Sequence, residues 1–144
     1  MKTAEELLNE KGTEIISVLP NTSIYDALKK MTENNIGSIL IEENGEIKGI
    51  WTERDLMKNT LIEDFDPKVA VIKDYMITNL ITVQFSDTVY SMMDVFLGKR
   101  LRHLLVKRDD KYIGLLSIGD VVKAKLNEKT KELKQLNAIV GWEY

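Results

Sequence analysis

"GIWTERD", residues 49–55, and "GLLSIGD", residues 114–120, place a glycine, two apolar residues, a hydroxyl and an aspartate in the same order. Each reads as the end of a buried strand running directly into a helix. A hydroxyl at the helix N-cap with an acid three residues later is a capping box. Seen once, that pattern marks a helix start in any soluble protein and little else. The second copy follows the first by sixty-five residues, so the surrounding sequence decides whether the recurrence is chance.

It is not chance. Residues 15–59 lie over 80–124 without a gap: Ile16 falls on Ile81, Val18 on Val83, Tyr25 on Tyr90, Leu40 on Leu105, Gly49 on Gly114, Asp55 on Asp120 and Lys58 on Lys123. Elsewhere apolar replaces apolar, as in Ile24/Val89, Met31/Phe96, Ile36/Leu101 and Ile41/Val106. The chain is a duplicated fold unit. In each copy a short strand ("EIISV", "LITVQ") leads to a capping turn ("PNTS", "FSDT") and an amphipathic helix at helical spacing. Two apolar runs follow, broken at Asn44-Gly45 or Asp109-Asp110, which is a hairpin signal. A second helix begins near Thr52 or Ser117. The unit is therefore β-α-β-β-α, and Asp66-Pro67 favours a turn in the connector. One such unit buries only a thin core alone, so the two are expected to pack with a pseudo-twofold relation. Clefts between them are the natural place for a small molecule.

Composition narrows the functions. The chain has 144 residues, 44% hydrophobic and 30% charged, with a formal charge of −3. Acidic and basic residues are interspersed, which argues against a nucleic-acid or anionic-membrane surface. Without cysteine there is no disulfide, thiolate chemistry or Cys-type metal site. No run approaches the ~18 apolar residues of a membrane span, and a cytoplasmic protein is expected.

The twin aspartates admit two readings. As capping acids they only start helices. As ligand groups they exploit the same geometry: a helix N-terminus offers unpaired N–H donors and a positive dipole end to a phosphate. An aspartate one turn in can accept hydrogen bonds from vicinal hydroxyls, as acids do with ribose in dinucleotide folds. The roles need not compete, because Thr52 or Ser117 can cap while Asp55 or Asp120 reaches outward.

These motifs, with "RHLLV" before the second hairpin, resemble a tandem pair of cystathionine-β-synthase (CBS) domains, the Bateman module. "SIGDVVKAKL" is similar to stand-alone prokaryotic CBS-pair proteins, and the likeness covers about residues 12–128. It implies an α/β (α+β) fold: an N-terminal helical segment (1–11), CBS domain 1 (12–62), a linker (63–74), CBS domain 2 (75–128) and a C-terminal helical tail (129–144). It also implies a non-catalytic sensor that needs no cofactor and binds an adenosine nucleotide between the repeats. AMP leads the candidates, followed by ADP, ATP, NAD and S-adenosylmethionine. A homodimer and an unidentified regulated protein are the partners implied. A ligand-free dimerisation scaffold is the alternative. A nucleotide-processing enzyme ranks lower, since the chain lacks G-x-x-x-x-G-K-[ST] and a clustered carboxylate set.

The resemblance assigns roles by position. Asp55 and Asp120 hold ribose, and Thr52 and Ser117 lie near ribose or phosphate. Ile16, Ile36 and Gly37 line the adenine side of the Asp120 cleft, and Ile81 and Leu101 that of the Asp55 cleft. Arg102 and His103 stand where the family contacts phosphate near Asp120, whereas repeat one has uncharged Gly37 and Ser38 there and Arg54 within its own motif. An arginine fork suits phosphate oxygens, so the Asp120 cleft is the first choice for a nucleotide and the Asp55 cleft the second. The bland alternatives stand beside these roles. His103 and Arg54 can be solvated surface residues. Trp51 is expected to close the core rather than stack on a base, and Met92-Met93 to fill it. In the tail, Val122, Leu126, Leu133, Leu136 and Val140 keep a four/three spacing around Lys129, either a short pairing seam or a helix packed on its own domain.

Overall fold

In the computed structural model, residues 1–12, 14–99 and 101–139 are described. In chain order the elements are α1 (Ala4–Lys11), β1 (Ser17–Val18), α2 (Ile24–Glu33), β2 (Ser38–Glu43), β3 (Glu46–Thr52) and α3 (Glu53–Asn59). A 3-10 turn (Ile72–Asp74) follows, then β4 (Thr82–Gln84), α4 (Val89–Lys99), β5 (His103–Arg108), β6 (Lys111–Ser117) and α5 (Ile118–Ile139). They form two compact bodies. One is Ile15–Leu80; the other joins Met1–Glu14 to the chain from Ile81 onward.

Each body carries a three-stranded sheet of the same design, β1-β2-β3 and β4-β5-β6. The first pair in each is parallel and the second antiparallel. The copies agree in detail. Ser38 faces Thr52 as His103 faces Ser117, and both ladders shift register at one place, after Ile41 and after Val106. Both hairpin turns hold two successive residues at positive φ, Asn44 (54°) and Gly45 (78°) in one, Asp109 (48°) and Asp110 (67°) in the other. That is the type I′ geometry whose twist matches the flanking strands. The expected caps are also present. Ser23 Oγ accepts from Asp26 N at 3.0 Å, and Thr88 Oγ1 from Ser91 N at 3.2 Å. In the connector, Asp66 Oδ1 accepts from Lys68 N, and its carbonyl from Val69 and Ala70, forming the turn that Asp66-Pro67 predicts.

The cores follow from the spacing. Ile24, Ala27 and Met31 of α2 close over Ile39, Ile41 and Trp51 in one body. Val89, Met92 and Phe96 of α4 close over Leu104, Val106 and Leu116 in the other. Met92 is fully buried, as core filling requires.

A second level of duplication is not visible in the gapless alignment. Each repeat is completed by the segment that precedes the other repeat. Residues 1–8 belong to the body of repeat two, and residues 70–77 to that of repeat one. The hydrogen bonds at the start of each segment correspond, whereas the reciprocal Ile50–Ile77 pair is found, among the described residues, in repeat one alone. Val89 N donates to Lys2 O as Ile24 N does to Ala70 O, and Ala4 N to Asp87 O as Ile72 N does to Thr22 O. Thr3 bridges Thr88 as Val71 bridges Ser23. These leading segments correspond at an offset of sixty-eight residues rather than sixty-five. Three extra residues before β1 hide the correspondence.

The motif glycines now have a cause. A Cβ on Gly114 would lie 2.6 Å from Leu8 Cδ2, and one on Gly49 would lie 2.6 Å from Met76 Sδ and 2.9 Å from the Ile77 carbonyl oxygen. Only glycine lets the leading segment sit this close to the strand.

α5 runs unbroken for 22 residues, so the tail continues the last helix of repeat two. Val121 and Ala124 are buried on its first turns, while Leu126, Leu133 and Leu136 are exposed by 61%, 52% and 56%. Val140, the last residue of the expected seam, lies outside the described residues.

Candidate functional site

The expected site residues of each body gather at the junction where the last strand becomes a helix. In repeat one, Thr52 caps α3: its Oγ1 accepts from Asp55 N at 3.3 Å, and Asp55 Oδ2 accepts from Thr52 N at 3.0 Å. The Thr52 hydroxyl lies 3.0 Å from the same carboxylate oxygen. In repeat two, Ser117 Oγ accepts from Asp120 N at 3.1 Å, and Asp120 Oδ2 from Ser117 N at 2.8 Å. In both copies the capping bonds converge on Oδ2. The cap uses one oxygen of each carboxylate, so capping and ligand binding are chemically compatible.

A further bond fixes the neighbours of each junction. Glu53 N donates to Gly37 O at 3.0 Å, and Ile118 N to Arg102 O at 2.9 Å. The residue before each hairpin is thereby tied to the first residue of the helix that follows it. Within repeat one, this brings Ile36 and Gly37 beside Thr52, Arg54 and Asp55. Within repeat two, it brings Leu101, Arg102 and His103 beside Ser117 and Asp120. Ile16, Ile36, Ile81 and Leu101 pack partly buried on the cores of their own bodies. The carbonyl of Ile16 accepts from Leu40 N at 3.4 Å, and that of Ile81 from Leu105 N at 3.1 Å. Arg54 and Arg102 are exposed and His103 is half-buried.

Trp51 is fully buried, and its indole N–H donates to Asn59 Oδ1 at 2.9 Å. It closes the core of repeat one, as expected. No sequence signal singled out Asn59, because an asparagine two turns along a helix carries no pattern of its own.

The junctions differ in charge. Asp55 is buried at 8% exposure. Asp120 is half-buried and paired with Lys11, the last residue of α1, whose Nζ lies 2.8 Å from Oδ2. Lys11 Nζ also donates to the Leu115 carbonyl at 3.1 Å. Burial pushes the Asp120 carboxyl up, but the Lys11 ammonium and the Ser117 N–H together outweigh it and hold the group below its ordinary range. A cavity of about 220 Å³ opens beside the pair, lined in part by Glu10, Lys123 and Asn127. Sequence reasoning missed Lys11, which reaches Asp120 from 109 residues away. Among the described residues, no His, Cys, Asp and Glu cluster is suited to a metal ion, and no helix is long and apolar enough to cross a membrane.

Two β-α-β-β-α units, each ending its hairpin in a capped hydroxyl–aspartate helix entrance, define a tandem-repeat α/β module. Comparison with known families matches the CBS domain twice, over residues 5–61 and 72–127. The CBS domain-containing protein CBSX3 of Arabidopsis thaliana, a mitochondrial protein, is 36% identical over 127 residues, which are 85% of this chain. The chain spans 62% of the length of that relative. The crystal structure of a CBS-domain protein from Agrobacterium tumefaciens superposes with a TM-score of 0.81 at 31% identity, covering 86% of this chain and 99% of that one. CBSX2, solved in complex with AMP, superposes with a TM-score of 0.71 at 26% identity, covering 90% and 99%. The chain belongs to the CBS-domain family and carries two CBS domains in tandem.

Proposed function

We propose that the chain is a regulatory module, not an enzyme, that binds an adenosine nucleotide at its two helix entrances, AMP before ADP, ATP, NAD or S-adenosylmethionine. Asp55 and Asp120 accept from the ribose hydroxyls, with Thr52 and Ser117 beside them. Main chain and apolar side chains at Ile16, Ile36 and Gly37, and at Ile81 and Leu101, hold the base. Arg102 and His103 meet the phosphate of the Asp120 ligand, and Arg54 that of the Asp55 ligand.

The observation that carries this reading is the duplicated entrance. Two carboxylates use Oδ2 for the cap at the positive end of a helix. The AMP complex of CBSX2 supports the ligand class. A sensor should bind near cellular ligand levels, and a dissociation constant of ~1 µM to 1 mM corresponds to about −8 to −4 kcal/mol, within reach of a few hydrogen bonds and a buried purine. The exposed Leu126, Leu133 and Leu136 of α5 support pairing with a second copy.

A thermal-shift panel of AMP, ADP, ATP, NAD, S-adenosylmethionine and GMP tests the proposal. A bound ligand raises the melting temperature by mass action. Stabilisation by adenosine compounds over GMP is expected. Equal melting with and without every compound would favour the ligand-free scaffold.

A further inference from the structure

Lys11 has no counterpart in repeat one. At the sixty-eight-residue offset of the leading segments its position is taken by Asn79, which carries no charge. Asp120 Oδ2 therefore receives two donors, the Ser117 amide at 2.8 Å and the Lys11 ammonium at 2.8 Å. An oxygen with two lone-pair directions is saturated by that pair. A cis-diol binds a carboxylate best with one hydroxyl on each oxygen, and here one of the oxygens is taken. The second donor on Asp55 Oδ2 is different in kind. It is the Thr52 hydroxyl, which can rotate away at little cost.

We infer that Lys11 is a charge latch on Asp120. A cis-diol ligand engages both carboxylate oxygens of repeat two only by displacing the Lys11 ammonium. The inference rests on the nucleotide reading above and adds the regulation of one of its two sites. Release leaves the packing of α1 intact and is opposed, besides the ion pair itself, by the hydrogen bond from Lys11 Nζ to the Leu115 carbonyl. Ala4, Leu7 and Leu8 anchor the helix in the core, whereas Lys11 is its last residue, half-exposed on a flexible stem. Gly12 follows at φ 102°, with open space where a side chain would be. The freed ammonium would remain at the edge of the 220 Å³ cavity that it lines with Lys123. Lys11 also lies just before the point where the chain leaves one body for the other, between Glu14 and Ile15.

The test is calorimetric titration of the full chain with adenosine, in an Asp55→Asn background so that repeat two alone reports, with and without Lys11→Met. Methionine keeps the length of the stem and removes the charge. A half-exposed ion pair contributes modestly, so Lys11→Met should tighten adenosine about two- to fivefold, and 2′-deoxyadenosine, which lacks the diol, should not gain. Circular dichroism and melting of each variant confirm the fold. Adenosine affinity that is unchanged or weaker in Lys11→Met, with binding intact in its parent, would overturn the latch and leave the nucleotide reading standing. Binding only after Lys11→Met would support the latch. Failure of wild type and every variant to bind adenosine would overturn both.

Discussion

Substituting Gly114 by alanine measures how closely α1 is seated on the strand beneath it. The new Cβ would stand 2.6 Å from Leu8 Cδ2 and 2.8 Å from Cδ1, where carbon atoms normally keep about 3.5–4.0 Å. Leu8 is 1% exposed and has nowhere to retreat. Overpacking of this kind costs about 1–3 kcal/mol. Leu8→Ala alone empties a buried site and costs about 2–5 kcal/mol. Together the two changes relieve each other, because the alanine methyl at 114 occupies part of the space that Leu8 vacates. The double variant should be more stable than the sum of the single losses implies, by about 1 kcal/mol or more. Urea denaturation of the four proteins gives the coupling directly. Additivity within about 0.5 kcal/mol, the behaviour of independent sites, would refute the seating of α1 over Gly114. Gly49→Ala should behave differently. Its Cβ meets the Ile77 carbonyl at 2.9 Å, and that carbonyl is held by Ile50 N at 2.9 Å. Trimming Met76 therefore relieves only part of that strain.

Trp51→Phe removes the donor to Asn59 Oδ1 and leaves a buried acceptor unpaired, so stability should fall by about 1–3 kcal/mol in urea melts. Nucleotide affinity should stay within twofold; lost affinity at unchanged stability would mean that the ring meets the ligand. Acid should weaken repeat two through Asp120. Its carboxyl is held below the ordinary range of about 4, so its contribution is complete above the unfolded value and disappears as pH falls through the folded one. Urea midpoints between pH 6 and pH 3 should therefore fall less steeply in Lys11→Met than in wild type, and identical slopes would contradict the pairing. On the proposed pairing through α5, wild type should sediment as a dimer and the Leu133→Lys/Leu136→Lys variant as one chain, whereas equal masses for the two would remove α5 from the contact.

Much of this architecture can be read from residues. The gapless match of 15–59 on 80–124 foretells a common register for the two hairpins, whereas the register shift that both carry is seen only in the structure. Asn44-Gly45 and Asp109-Asp110 foretell the turns, because few residues tolerate positive φ. Thr52 and Ser117 foretell the helix starts. The exchange of leading segments is not legible. Its copies are short, differ in secondary structure (a helix over Ala4–Lys11, a 3-10 turn at Ile72–Asp74) and are three residues out of step with the rest. Nor is the Lys11–Asp120 pair legible, since a single charge near the start of the chain has neither period nor motif. The motif glycines were visible, but their reason was not. It lies in Leu8, Met76 and Ile77, which the chain brings over the strands from distant positions.

The most direct test of the central claim is calorimetric titration of AMP into Asp55→Asn and into Asp55→Asn/Asp120→Ala, so that repeat two alone reports, with circular dichroism to verify the fold. Hydrogen bonds from a sugar diol to an ionised carboxylate contribute about 1.5–3 kcal/mol, so the double variant should bind AMP more than tenfold more weakly. Equal affinity in the two proteins would contradict the assignment of Asp120 to the ribose.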